Sequence, residues 1–165
     1  MKISCRKEID LQFMSEAIKE ASKALKRDEV PIGAVAVCGD KVVARGFNRK
    51  EGFSDPTAHA EIIAIKRVSK KSRGWRISNV TLYVTLEPCL MCMGAIIQAR
   101  IPRLVFAAFD PKAGACGSLY DVSNDRRLNH RVSVTSGVGA EEARALLKSF
   151  FRKLRDRKKT QRGNI

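Results

Sequence analysis

No stretch of the 165-residue chain is apolar for long enough to cross a bilayer, and its opening residues, MKISCRKEID, lack the apolar run of a secretory signal. Both absences point to an intracellular, cytoplasmic protein with no membrane partner. Cysteine is sparse and odd in number. Cys5, Cys38, Cys89, Cys92 and Cys116 are scattered rather than spaced as a disulfide framework, so reduced thiols are expected. Internal repeats and linkers are missing too. Glycine and proline stay at ordinary levels and 44% of the residues are hydrophobic, which excludes disorder of the whole chain and fits one domain with a normal core. Acidic residues are scarce: 17 Asp and Glu stand against 32 Lys and Arg, a formal net charge of +15. Such an excess favours a polyanionic partner.

The charge is unevenly placed. KRVSKKSRGWR (66–76) carries six bases and no acid, and RKLRDRKKTQR (152–162) carries seven bases against Asp156 alone. One basic run alone reads as a solvated face, but two on so basic a domain favour RNA or DNA. The segment from 156 onward is charged and lacks apolar anchors, so residues 156–165 are expected to be a disordered basic tail behind a single domain over 1–155.

Hydrophobic periodicity gives an α/β order. Leu11, Met14, Ile18, Ala21 and Leu25 recur at helical spacing, predicting a helix over 8–27 that stops before Pro31. IGAVAVCGDKVVARGFN places two β-branched runs around Gly39 and Asp40, a hairpin signal. HAEIIAIKRVSKK follows as a helix, then NVTLYVTLE as a strand, CLMCMGAIIQAR as a helix and RLVFAAFD as a strand. Strand, helix and strand in about thirty residues form a βαβ unit with buried parallel strands. RVSVTSGV reads as a short strand, and Ala143, Leu146, Leu147, Phe150, Phe151 and Leu154 stripe a closing helix.

The stretch TLEPCLMC (85–92) raises the chemical question. Pro88 sits where a helix begins, which places Cys89 and Cys92 in its first turn, near the positive end of the helix dipole, where thiolates are favoured. Leu90 and Met91 between them are bulky and apolar, so the pair is built into a core rather than offered for disulfide exchange. Metal ligation is the better explanation, and DPTAHAE (55–61) supplies a partner: His59 heads the next helix upstream, with Glu61 two residues on. Residues i and i+2 diverge by about 200° in a regular helix, so both meet one site only if His59 stands at the very start. His59, Cys89 and Cys92 are three ligands suited to zinc, and a structural site needs a fourth. Cys38, Cys116 and Glu61 are the candidates. Glu61 is better used as a base beside an open position holding water.

HAE with PCLMC resembles the H-x-E and P-C-x-x-C signature of the zinc-dependent cytidine deaminase superfamily. VPIGAVAV, GFNRKEGFSDPTAHAE, TLYVTLEPCLMCMGAI and FDPKAGACGSLYDV extend the likeness to the bacterial-type tRNA adenosine deaminases, over about residues 8–155. The resemblance implies a three-layer α/β/α fold with a mixed five-stranded sheet, and hydrolytic deamination of a tRNA wobble adenosine, typically in an arginine tRNA, to inosine. It implies one Zn²⁺ per subunit on His59, Cys89 and Cys92, with Glu61 as proton shuttle. Asn48 matches a residue that bonds the base. Asp110 and Lys112 match residues bordering the anticodon nucleotides, and Phe151 and Arg152 match the helix end that lies against the RNA. A homodimer joined near the apolar MGAII helix is also implied. Without the resemblance, Asn48 and Asp110 read as turn residues, Phe151 as core, and Lys112 and Arg152 as solvated.

Three details depart from the family pattern or stay without a role. Cys116 occupies a small-residue position, Tyr120 replaces an aliphatic, and His130 is read as a loop histidine. A deaminase of free bases, nucleosides or nucleotides, of guanine or cytosine type, is the alternative with the same zinc site. A non-catalytic RNA-binding zinc module is a third, and the presence of Glu61 argues against it.

Overall fold

The computed structural model describes residues 3–162. In chain order it contains α1 (Ile3–Leu25), β1 (Gly33–Cys38), β2 (Lys41–Phe47), α2 (Lys50–Phe53), α3 (Ala60–Ser72), β3 (Thr81–Leu86), α4 (Leu90–Gln98), β4 (Arg103–Ala108), β5 (Ser133–Ser136) and α5 (Ala140–Arg162). The strands form one sheet in the order β2-β1-β3-β4-β5. β1 runs antiparallel to both β2 and β3, whereas β3, β4 and β5 are parallel. The mixed five-stranded sheet expected from the sequence is present.

Period-two alternation sorts the strand residues into two cores. Ala34, Ala36, Leu82, Val84, Leu104 and Phe106 face α3 and α4, packing on Ala64, Ile65, Met93 and Ile96. Val35, Val37, Tyr83, Val105 and Ala107 face the other way, onto Phe13, Met14 and Ala17 of α1 and Ala143 of α5. The result is three layers, with helices on both faces of the sheet. Among the described residues no helix is long and apolar enough to cross a membrane.

Two glycines set how closely the layers approach. A Cβ on Gly33 would stand 2.1 Å from the Ala17 carbonyl oxygen, so α1 lies directly on β1. A Cβ on Gly46 would stand 2.3 Å from the Ala60 oxygen and 2.9 Å from the Ala64 nitrogen, so the start of α3 is pressed on β2. Because β2 and β3 point the same way, the carboxyl ends of β2, β3 and β4 share one edge of the sheet. Asn48, Pro88 and Phe109 leave the strands there, and α3 and α4 begin there. Sites in open α/β sheets form at such an edge.

The closing helix differs from expectation. α5 continues without a break from Ala140 to Arg162, so residues 156–162 are helical rather than disordered; 163–165 lie outside the described residues. The reason is local. A helix already nucleated on the core extends at little cost through good helix formers such as Arg, Lys and Gln, and neither Gly nor Pro interrupts it before Gly163. Arg157 also reaches Asp28 at 3.0 Å.

Candidate active site

Two helix starts meet at the functional edge. His59 is the N-cap of α3 and Cys89 the N-cap of α4, both with extended backbone, and neither side chain caps its own helix. Cys89 therefore precedes the first turn that the sequence suggested for it, while Cys92 lies inside α4 and is fully buried. The N-cap position also answers the i, i+2 problem: the extended φ/ψ of His59 takes its side chain off the helical wheel, so that His59 and Glu61 interact despite their spacing. Gly46 underlies this start of α3, and Pro88 leads into α4.

The three side chains converge. His59 Nδ1 lies 3.8 Å from Cys89 Sγ and 3.5 Å from Cys92 Sγ, and the three ligand atoms all fall within 4.8 Å of one another. A tetrahedral zinc ion with bonds of about 2.0 Å to nitrogen and 2.3 Å to sulfur holds such atoms roughly 3.5 Å apart, so the N,S,S set fits a metal ion. Among the described residues no fourth His, Cys, Asp or Glu joins the group. Cys38 is occupied elsewhere, accepting a bond from Asn79 Nδ2 at the opposite end of β1. Cys116 packs at the rim of the α3–α4 core, where burial raises its thiol to about 12.

The electrostatics of the cluster are asymmetric. The thiol of Cys92 bonds to Cys89, pulling Cys89 down to about 4 with help from His59, while Cys92 itself is pushed upward. His59 is raised, chiefly by its bond to Cys89. Glu61, only 4% exposed on α3, is raised above the usual carboxylate range chiefly by burial. A carboxyl with a raised pKa beside a cluster that could hold a metal ion is suited to taking up and releasing a proton.

A cavity of about 610 Å³ opens over this edge. His59, Asn48, Asp110, Lys112 and Phe151 line it, so the fold brings together four of the five residues that the sequence suggested for substrate contact. Arg152 is exposed on α5 and does not line the cavity. Phe151 is 43% exposed, so it is a wall residue rather than core. Asp110 turns the chain after β4, its carboxylate accepting from the Lys112 backbone N–H at 2.9 Å. A second cavity of about 460 Å³ shares Phe109, Lys112, Leu147, Phe151 and Leu154 with the first and continues along α5 past Arg144, Lys148, Arg155 and Lys158.

Two buried carboxylates that sequence reasoning missed hold the walls of this site. Glu87, 2% exposed, precedes Pro88 and accepts from the backbone N–H groups of Asp110 (3.0 Å), Cys116 (2.8 Å) and Ser118 (3.1 Å), and from the Ser118 hydroxyl. It ties the 110–118 loop to the start of α4. Glu29, 1% exposed, bonds Asn48 and the turn after it. Glu29 and Glu87 stand two and one residues before a proline, in EVP and EPC, which by itself marks neither as buried. Tyr120 is exposed, and His130 meets the Ile101 carbonyl at 2.8 Å through Nε2, fastening its loop as a structural residue.

Comparison with known proteins places this geometry. The MafB19-like deaminase family matches residues 9–155. The tRNA-specific adenosine deaminase of Bacillus subtilis (strain 168) is 47% identical over 94% of this chain and 97% of its own length. The chain belongs to the tRNA adenosine deaminase family. The family member from Haemophilus influenzae is 48% identical, over 96% of this chain and 92% of its own. Among solved structures, one from biochemical and structural studies of A-to-I editing by tRNA:A34 deaminases at the wobble position matches with a TM-score of 0.80 and 44% identity, over 82% of this chain and 99% of that one. A guanine deaminase from Bacillus subtilis matches less completely: TM-score 0.57 and 35% identity over 59% of this chain and 63% of that one. The tRNA-specific adenosine deaminases from these two bacteria match at higher identity and over more of the chain than this guanine deaminase does.

Proposed function

We propose that this protein is a zinc-dependent deaminase that converts the wobble adenosine of a tRNA anticodon, in an arginine tRNA by family resemblance, to inosine. The observation that carries the reading is the convergence of His59, Cys89 and Cys92 at two helix starts with Glu61 buried close by, His59 also lining a cavity wide enough for a nucleobase. His59, Cys89 and Cys92 would hold one zinc ion, which supplies Lewis acidity and lowers the pKa of a bound water toward about 7.

The remaining chemistry falls to the chain itself. Water adds to C6 of adenine as Glu61 moves a proton to N1. The C6–N6 bond then breaks, Glu61 hands a proton to the departing ammonia, and inosine is left. The raised carboxyl of Glu61 suits both transfers. Asn48 offers hydrogen bonds to the base, Asp110, Lys112 and Phe151 border the neighbouring nucleotides, and Arg152 meets the backbone outside the cavity. An anticodon loop suits the site because its bases splay out without breaking a duplex.

The groove that continues past Arg144, Lys148, Arg155 and Lys158 supports a polynucleotide over a free base, which needs no such extension. Residues 1–155 form the deaminase domain in this reading, and the protein works in the cytoplasm. It acts as a homodimer joined through α4, whose Leu90 and Met91 are 47% and 37% exposed. Sequencing bulk tRNA after incubation with the zinc-loaded protein tests the proposal: A-to-G changes confined to a wobble position support it. Ammonia release from guanine or cytosine, with none from RNA, overturns it in favour of the small-molecule enzyme.

A further inference from the structure

Glu29 has no part in the proton transfers above, yet it is among the most buried charged residues of the chain and lines the same cavity as His59 and Asn48. It lies between α1 and β1, nineteen residues from Asn48. Its carboxylate is fully engaged. Oε2 accepts from Asn48 Nδ2 at 3.2 Å and from the Glu51 N–H at 3.2 Å, and Oε1 accepts from the Gly52 N–H at 2.7 Å. A Cβ on Gly52 would stand 3.2 Å from Oε1, so glycine there leaves room for the carboxylate. Asn48, 5% exposed, has its backbone N–H held by the Ile32 carbonyl at 3.0 Å and makes no other side-chain hydrogen bond among the described residues.

An amide side chain can present itself in two orientations that differ only by exchange of oxygen and nitrogen. A neighbour that only accepts hydrogen bonds removes this freedom, because the flipped amide would set two acceptors against each other out of reach of water. We propose that Glu29 is a positioning residue for base selection. By taking one N–H of Asn48, its carboxylate fixes the amide so that Oδ1 and the second N–H are what the nucleobase meets. The inference rests on the deaminase reading and on the base-contacting role of Asn48. It adds the reason why Asn48 can tell one pattern of donors and acceptors from another. A glutamine at position 29 both donates and accepts, so either orientation of Asn48 is satisfied and selection weakens.

The test is a double-mutant cycle on the zinc-loaded protein, with Glu29→Gln, Asn48→Ala and the pair. It uses an RNA hairpin bearing one loop adenosine and a matched hairpin with cytidine in that place. Glu29→Gln is expected to lower kcat/KM on adenosine by about tenfold or more, with zinc content kept and the preference over cytidine narrowed. On top of Asn48→Ala it should cost nothing further, because Glu29 acts through that amide. Losses that multiply in the pair, or a Glu29→Gln enzyme with wild-type rates and preference, overturn the proposal: the carboxylate then merely anchors the turn after β2. A second measurement needs no turnover. The Asn48 side-chain amide should give one N–H resonance displaced by the bond to Glu29 in the wild type, and lose that displacement in Glu29→Gln; an unchanged resonance is equally fatal. Should the wild type leave RNA adenosine intact while the resonance behaves as expected, the tRNA reading fails and the fixed amide stands.

Discussion

Two carboxylates, equally shut off from solvent on opposite faces of one sheet, behave in opposite ways. Glu61 on α3 and Asp10 on α1 are each 4% exposed. Burial drives Glu61 upward with too little to offset it. For Asp10 burial also pushes upward, but the bonds from Arg103 and Tyr83 outweigh it and the carboxyl ends below its usual range. Arg103 reaches both oxygens, at 2.8 and 2.7 Å, and the Tyr83 hydroxyl donates at 2.8 Å. Low exposure alone, then, does not decide what a buried acid does. The carboxylate whose charge is matched fastens α1 to β3 and β4, and the one left unmatched is available for proton transfer.

The largest effect should come from removing the unmatched group. Glu61→Gln is expected to lower turnover by about a hundredfold or more while keeping stoichiometric zinc and a melting temperature at or above wild type, since no compensated charge is lost. Loss of the metal in this variant would make Glu61 a ligand and end the comparison. Asp10→Asn should do the reverse. Its Arg103 is left without a counter-charge at 13% side-chain exposure, so a loss of about 3 kcal/mol is expected, or roughly 10 °C in melting temperature, with activity per folded molecule unchanged.

Gly46→Ala cuts across the two classes. Its Cβ has no room beside the Ala60 carbonyl, so about 1–3 kcal/mol of overpacking is expected together with a drop in kcat, because the start of α3 carries His59 and Glu61. Melting curves and single-turnover rates check both halves. The smallest effect is on the pH profile of stability. The folded pKa of Asp10 is depressed, so its contribution is complete above the unfolded value near 3.9 and is lost as pH falls through the folded value. Acid titration of the wild type should therefore show a falling limb below about pH 4 that is shallower in Asp10→Asn. Equal limbs would mean that the Arg103 bond does not favour the charged form.

Much of this was legible in the chain itself. The hairpin at Gly39, the βαβ run and the closing amphipathic helix follow from periods of two and about 3.6, and His59, Glu61, Cys89 and Cys92 stand in two short motifs on local helix-start signals. Asp10, Glu29 and Glu87 were not legible. Their partners lie 73 to 93, 19 to 23, and 23 to 31 residues away, and no local pattern tells an acid that will meet buried donors from one that faces water. The helical course of 156–162 escaped for a different reason. Lack of apolar anchors argues against a core contribution, and it does not forbid extension of a helix anchored further back.

That extension changes the thermodynamics of any encounter with RNA. A disordered strand laid along a phosphate backbone surrenders backbone freedom worth about 1–2 kcal/mol per residue, and from Asp156 to Arg162 this would amount to roughly 7–14 kcal/mol. In α5 that ordering is completed when the protein folds. Arg155 and Lys158 already share a groove wall with Lys112, and docking asks only their side chains to settle. Association along this helix should then look like the meeting of two preformed surfaces, with only the small heat-capacity change of modest apolar burial, and without the signature of a peptide that folds as it binds.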